Sequence, residues 1–134
     1  MATKKSDKVF TSVKDGGERQ QFEGGAVREP TTGKGRFDLI PSYPHRRLAV
    51  HYEVGSRKYA DRNWEKGMPL SRCLDSAERH INDFKSGDRK EDHLAAAVWN
   101  LYAYLELEHQ IQAGKLPEKF RDVPWPDSTE EVPE

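Results

Sequence analysis

The chain has 134 residues, about one domain's length, and only 34% of them are hydrophobic against 34% charged, with a mean hydropathy of -0.97. That mixture is too polar for a uniformly globular chain and points to a compact apolar middle between polar ends. The 22 Lys and Arg balance 23 Asp and Glu, so the net charge of -1 supplies no field for general attraction to nucleic acid. No apolar run approaches the roughly 18 residues of a membrane span. The opening MATKKSDKVF lacks the apolar stretch of a secretory signal. The single cysteine, Cys73, excludes an intramolecular disulfide and a cysteine-rich zinc site. The expectation is a soluble cytoplasmic protein with one core.

In chain order, residues 1–36 hold Gly16 and Gly17, Gly24 and Gly25, Gly33 and Gly35 among charged residues, with few aliphatics. Such a segment buries too little apolar surface to offset its ordering entropy. It reads as a flexible basic arm, disordered or laid over a folded body. Phe37, Leu39 and Ile40 form the first apolar knot, the expected anchor of the arm. Residues 37–113 are the predicted helical domain. A first helix from about His45 to Tyr59 carries Leu48, Tyr52, Gly55 and Tyr59 on one stripe, at about 3.6 residues per turn. After the loop around Trp64 and Pro69, a second helix runs from about Leu70 to Ser86, with Leu70, Leu74, Ala77, Ile81 and Phe84 on one face and Gly87 as its stop. A third helix, about Glu91 to Ala113, is apolar nearly all round. Leu94, Val98, Leu101 and Leu105 lie on one side, and Ala96, Trp99, Ala103 and Leu107 on the other. It belongs at the centre of a bundle, and three short helices scarcely surround it, so a helical homo-oligomer is expected to complete the cover. Residues 114–134 read as an extended, proline-rich acidic tail in which Trp125 packs on its own domain or on a neighbour. No segment shows the alternation of a strand. The fold class is all-α.

Each helix sets a histidine beside its inward face: His51 on the first, His80 on the second, His93 on the third with Asn100 two turns on. A bundle can gather them around one cleft, although each also suits a half-buried structural role. Glu53, Asp75, Glu91 and Asp92 are the nearby carboxylates. Asp75 also has an ion-pair partner four residues on in Arg79, and Asp92 also suits the start of a helix. The segment REPTTGKGR, residues 28–36, lacks the spacing of a Walker A loop. Its Arg28, Lys34 and Arg36 remain a flexible cationic set able to meet phosphate. The loop KYADRNWEKG, residues 58–67, mixes Lys58, Arg62 and Asn63 with Tyr59 and Trp64, which suits a base and its phosphates or a loop anchored by one buried tryptophan.

The blocks GAVREPTTGKGRFDLIP (25–41), HYEVGSRKYADRNWEKGMPLSR (51–72), LDSAERH (74–80) and DHLAAAVWN (92–100) occur in order. Together, over about residues 20–108, they resemble a family of small bacteriophage proteins catalogued as the N-terminal domain of dATP/dGTP diphosphohydrolases. The resemblance implies cleavage of a purine deoxynucleoside triphosphate to monophosphate and pyrophosphate in the infected cell. Arg28, Lys34, Arg36 and Asp38 match the family's arm. Lys58, Arg62 and Asn63 match its loop, and Arg79, His80, His93 and Asn100 its helix positions. The family's label is related to the MazG-type all-α pyrophosphohydrolases, which bind Mg²⁺ through E-x-x-E and E-x-x-D carboxylates on adjacent helices. Here Ser56 stands three residues after Glu53 and Ala95 three after Asp92, so neither pair forms.

On the enzymatic reading, Glu53, Asp75, Glu91 and Asp92 would hold Mg²⁺ or Mn²⁺. His80, His93 or Asp75 would move protons. Arg28, Lys34, Arg36, His51, Lys58, Arg62, Asn63, Arg79 and Asn100 would contact the nucleotide, with Trp64 or Trp99 stacking on the purine. A second reading keeps the cleft but makes it a non-catalytic module that sequesters a nucleotide or nucleotide-like defence signal. A third makes the chain an interaction protein whose tail and Trp125 dock a partner.

Overall fold

The computed structural model describes residues 17–124. The chain divides into two units, Met1–Ile40 and Pro41–Glu134.

In the first unit, β1 (Gln20–Gln21) pairs antiparallel with β2 (Val27–Arg28), Gln20 opposite Arg28 and Gln21 opposite Val27. The Phe22 amide donates to the Ala26 carbonyl and the Gly25 amide to the Phe22 carbonyl, both at 2.8 Å. Gly25, at φ +87°, makes that turn possible. An Arg19–Glu29 ion pair closes the open end of the hairpin. Strands of two residues are too short to write an alternation into the sequence, so this small sheet is invisible to periodicity. A short 3₁₀ turn, Phe37–Leu39, follows, with the Arg36 guanidinium gripping both Asp38 oxygens at 2.7–2.8 Å. Phe37, Leu39 and Ile40 are exposed.

The second unit is a bundle of three helices, α1 (Ser42–Lys58), α2 (Leu70–Lys85) and α3 (His93–Gln112), all close to the predicted spans. Pro41 and Pro69 immediately precede α1 and α2, where a missing amide donor costs nothing because the first turn has no acceptor for it. Asp92 caps α3: one carboxylate oxygen accepts from the Ala95 amide at 3.1 Å, while the Arg47 guanidinium of α1 holds both oxygens at 2.6 and 2.9 Å. The α2–α3 connection is short, which makes the two helices an antiparallel hairpin.

The α2–α3 seam is the core. His93, Ala96, Ala97, Asn100, Ala103, Leu107 and Ile111 of α3 are buried at three- and four-residue spacing, facing Leu70, Cys73 and Ala77 of α2. The buried side of α3 is therefore the alanine side, because small residues let α2 approach closely. Cys73 lies on the α2 seam where the hydrophobic pattern puts Leu74, and Ile81 faces outward. Burial pushes the Cys73 thiol pKa up, so it behaves as a small apolar filler. The aliphatic side of α3 points away from this seam, leaving Val98, Leu101 and Leu105 between 41% and 62% exposed.

The segment after α3 does not run off as an extended tail within residues 114–124. It turns through a 3₁₀ element, Glu118–Phe120, and lays Leu116, Phe120 and Val123 against the seam's lower end. The Asp122 carboxylate accepts from the Ser71 amide at 2.9 Å and from the Ser71 hydroxyl, capping the first turn of α2 from outside. Gly67 is required by this packing. Its φ is +97°, and a Cβ there would stand 2.7 Å from the Phe120 ring. The expected role of Trp125 lies outside the described residues.

Two outcomes follow. Leu107→Ala, at a fully buried site, is expected to cost about 2–5 kcal/mol in urea unfolding. Arg47 holds the Asp92 carboxyl below its ordinary pKa, so this group's stabilisation is complete above the unfolded value of about 3.9 and lost as pH falls through the folded one. Asp92→Ala should cost about 1 kcal/mol at neutral pH, and the gap from the parent protein should narrow in melts as pH falls below the ordinary carboxylate value.

Candidate functional site

Two features of the helical unit stand close together, an imidazole–carboxylate cluster at the α2–α3 hairpin end and an aromatic pocket between α1, the following loop and α3. In the cluster, His80 Nδ1 of α2 lies 3.0 Å from His93 Nδ1, the first residue of α3. Glu91 Oε1, from the connection, is 3.4 Å from His80 Nδ1 and 3.3 Å from His93 Nδ1. Asp88 Oδ1 stands 3.4 Å from the other ring nitrogen of His93. An antiparallel hairpin brings these residues together because the last turns of one helix face the first turn of the next. Among the described residues this is the one group of three or more His, Cys, Asp or Glu side chains whose ligand atoms converge.

The pocket has a volume of about 380 Å³, within the range of small-molecule sites. Tyr52, Tyr59, Trp64 and Trp99 give it aromatic walls, and Ser56, Arg62 and Asn63 give it polar groups. Trp64 meets Trp99 edge-on with centroids 6.3 Å apart, and Tyr52 lies tilted at 6.0 Å from Trp99. Arg62 is the one non-glycine residue with positive φ among the described residues, at φ 58°, ψ 21°. A side chain held in the left-handed region costs about 1 kcal/mol or more, and such positions concentrate at functional sites. The His51 ring, 5.9 Å from Trp99, joins the two features. Burial lowers the His51 pKa and the nearby His80 lowers it further, keeping the ring neutral near pH 7.

The other sequence-derived candidates are placed as follows. Asn63 and Trp64 line the pocket with Arg62, while Lys58 is exposed with its ammonium 5.5 Å from the Tyr59 ring centre. Asn100 is buried and donates to the Ala96 carbonyl at 2.8 Å within its own helix. Arg79 lies on the exposed side of α2, contacting Ser76 Oγ at 3.1 Å and Asp75 at 3.5 Å. Arg28, Lys34 and Arg36 belong to the first unit. Of the four carboxylates expected to hold a hard cation, Glu53 pairs with Arg57, Asp75 with Arg79 and Asp92 with Arg47. Only Glu91 joins a converging group, and its companions are nitrogens. These four therefore do not gather into the all-oxygen set that Mg²⁺ prefers.

Asp88, Arg47, Tyr52 and Ser56 were not among the site candidates. The spacing of Asp88, Glu91 and His93 in one connection was the available signal for Asp88. Arg47 had none, because its partner is 45 residues away.

No helix among the described residues is long and apolar enough to cross a membrane. No curated protein and no solved structure matches the chain. A family model described as dATP/dGTP diphosphohydrolase, N-terminal, matches residues 25–115, taking in β2 and all three helices. That match covers well over half of the sequence, and the chain belongs to the dATP/dGTP diphosphohydrolase N-terminal family.

Proposed function

We propose that the protein binds a purine deoxynucleoside triphosphate in the aromatic pocket and takes part in its cleavage to monophosphate and pyrophosphate, in the nucleotide pool of a phage-infected cell. The observation that carries this reading is the pocket itself: four aromatic rings around a nucleobase-sized space, with a strained arginine at its edge. Stacking on aromatic faces is worth about 1–3 kcal/mol per base. The Asn63 amide offers a donor and an acceptor to a base edge. Arg62 supplies a guanidinium to the phosphates, a contact that positions the chain and offsets developing charge. His51, neutral near pH 7, is suited to take a proton from an attacking water. The nucleotide would arrive as its Mg²⁺ or Mn²⁺ complex.

A second reading, binding without cleavage, is favoured by one observation: Glu53, Asp75 and Asp92 are each engaged by an arginine. The pocket would then retain a nucleotide or nucleotide-like signal intact.

We also propose that a second copy of the chain covers the aliphatic side of α3. Val98, Leu101 and Leu105 are exposed there, a row of aliphatics that a monomer leaves in water.

Incubation with dATP or dGTP and Mg²⁺ or Mn²⁺ should yield monophosphate and pyrophosphate; no turnover at high protein concentration, with thermal stabilisation by nucleotide recovered intact, would leave the binding reading. Arg62→Gly should keep or slightly raise the melting temperature, since glycine relieves the left-handed strain, while weakening triphosphate binding about tenfold or more. Leu101→Glu with Leu105→Glu should convert a sedimenting dimer to monomer with an unchanged helical circular dichroism spectrum; a monomeric parent protein would remove the dimer.

A further inference from the structure

The cluster at the hairpin end has a geometry that its own hydrogen bonding does not explain. Two neutral imidazoles can share one N–H···N bond, which accounts for the 3.0 Å between the Nδ1 atoms. Glu91 Oε1 nevertheless stands 3.3 and 3.4 Å from the same two atoms, completing a nearly equilateral triangle. One shared proton leaves two electron-pair donors, the accepting imidazole and Glu91, facing a common point, and moving that proton to the far ring nitrogen makes them three. A cation at that point resolves the conflict. At a metal–ligand distance of about 2.1 Å, tetrahedral and octahedral coordination put neighbouring ligand atoms about 3.0–3.4 Å apart, the observed spacing.

His93 supplies a second, independent observation. The residue is only 4% exposed, and its Nε2 has no hydrogen-bond partner. Asp88 Oδ1 faces it at 3.4 Å without the alignment of a hydrogen bond, and the same oxygen is fixed by the Lys90 amide at 2.8 Å. A proton on Nε2 directed toward Asp88 leaves the Nδ1 lone pair aimed into the triangle. This is the carboxylate–histidine relay that orients metal-bound imidazoles.

We propose that His80 Nδ1, His93 Nδ1 and Glu91 Oε1 form a site for one divalent transition-metal ion of the Zn²⁺ class, with Asp88 orienting His93. Two imidazoles and one carboxylate suit borderline ions, whereas Mg²⁺ and Ca²⁺ prefer oxygen throughout. Glu91 is largely exposed, so the remaining coordination positions open to solvent. Two histidines, one glutamate and an open position are the ligand set of a catalytic zinc ion. The site does not depend on the nucleotide reading. Metal binding without nucleotide turnover would leave this site standing and remove the hydrolase, and the reverse result would do the opposite.

The test uses the full chain, free of affinity tag and stripped of metal, titrated with Zn²⁺ in a calorimeter and with Co²⁺ by visible absorption. One Zn²⁺ per chain is expected, with Co²⁺ d–d bands of an ordered site that excess Zn²⁺ abolishes and excess Mg²⁺ does not. Glu91→Gln and His80→Ala should each lose about 100-fold or more in Zn²⁺ affinity, at or beyond the upper end of the losses seen for outer-shell partners. His45→Ala and His109→Ala, both on exposed positions, should bind as the parent does. Glu91 is solvent-facing, so Glu91→Gln tests the site without threatening the fold, and a retained circular dichroism spectrum qualifies His80→Ala. Absence of stoichiometric Zn²⁺ binding, Zn²⁺ affinity unchanged in Glu91→Gln and His80→Ala, or displacement by Mg²⁺ would each overturn the proposal.

Discussion

The close approach of α2 and α3 governs everything else in the helical unit. It rests on small side chains: Cys73 and Ala77 on one helix, Ala96 and Ala103 on the other, all buried. Larger residues at these positions would hold the helices apart, and the histidines further along the same seam would no longer meet. One line of contacts thus does two things in succession. At the Leu70–Leu107 end it is buried and apolar, covered by Phe120 and Leu116. At the hairpin end it becomes polar, where His80, Glu91 and His93 converge. Apolar packing fixes the helix spacing, and that spacing sets the geometry of the polar end.

α1 joins this hairpin through a different kind of contact. Leu48 is its one buried residue, and His51 and Tyr52 rest against Trp99. The Arg47–Asp92 pair adds a charged clasp at the start of α3. An element attached through rings and one ion pair leaves space beside itself, and the pocket occupies that space. Open pocket and modest packing are here two descriptions of one arrangement.

The helices themselves were readable because each carries at least one repeat at helical spacing, and Pro69 and Asp92 mark the starts of α2 and α3; α1 begins at Ser42, a turn before the expected His45, since Pro44 is tolerated in a first turn. The side of α3 that would be buried was harder. Hydrophobicity favours Leu94, Val98, Leu101 and Leu105, yet the seam runs along the alanines, because closeness of approach rather than side-chain size decides where two helices pack most tightly. The same rule explains Cys73 in place of Leu74. His80 and His93 stood out as polar residues at the edge of apolar faces, but their meeting point depends on the path of the α2–α3 connection, which no periodicity encodes. The carboxylates divide for a related reason: the arginines that hold Glu53 and Asp75 stand four residues along the same helix and are open to a reading by spacing, whereas the Arg47 that holds Asp92 is 45 residues away and only the fold reveals it. The return of residues 114–124 against α2 was hidden behind prolines whose usual meaning is an unstructured tail.

Cys73 is the only thiol in the chain, and no part of it is open to solvent. Because it lies in the core shared by α2, α3 and the returning segment that carries Leu116, Phe120 and Val123, an alkylating reagent reaches it only when that packing opens. The parent protein therefore contains its own gauge of core opening: the speed of thiol modification counts those excursions directly, without any label being introduced.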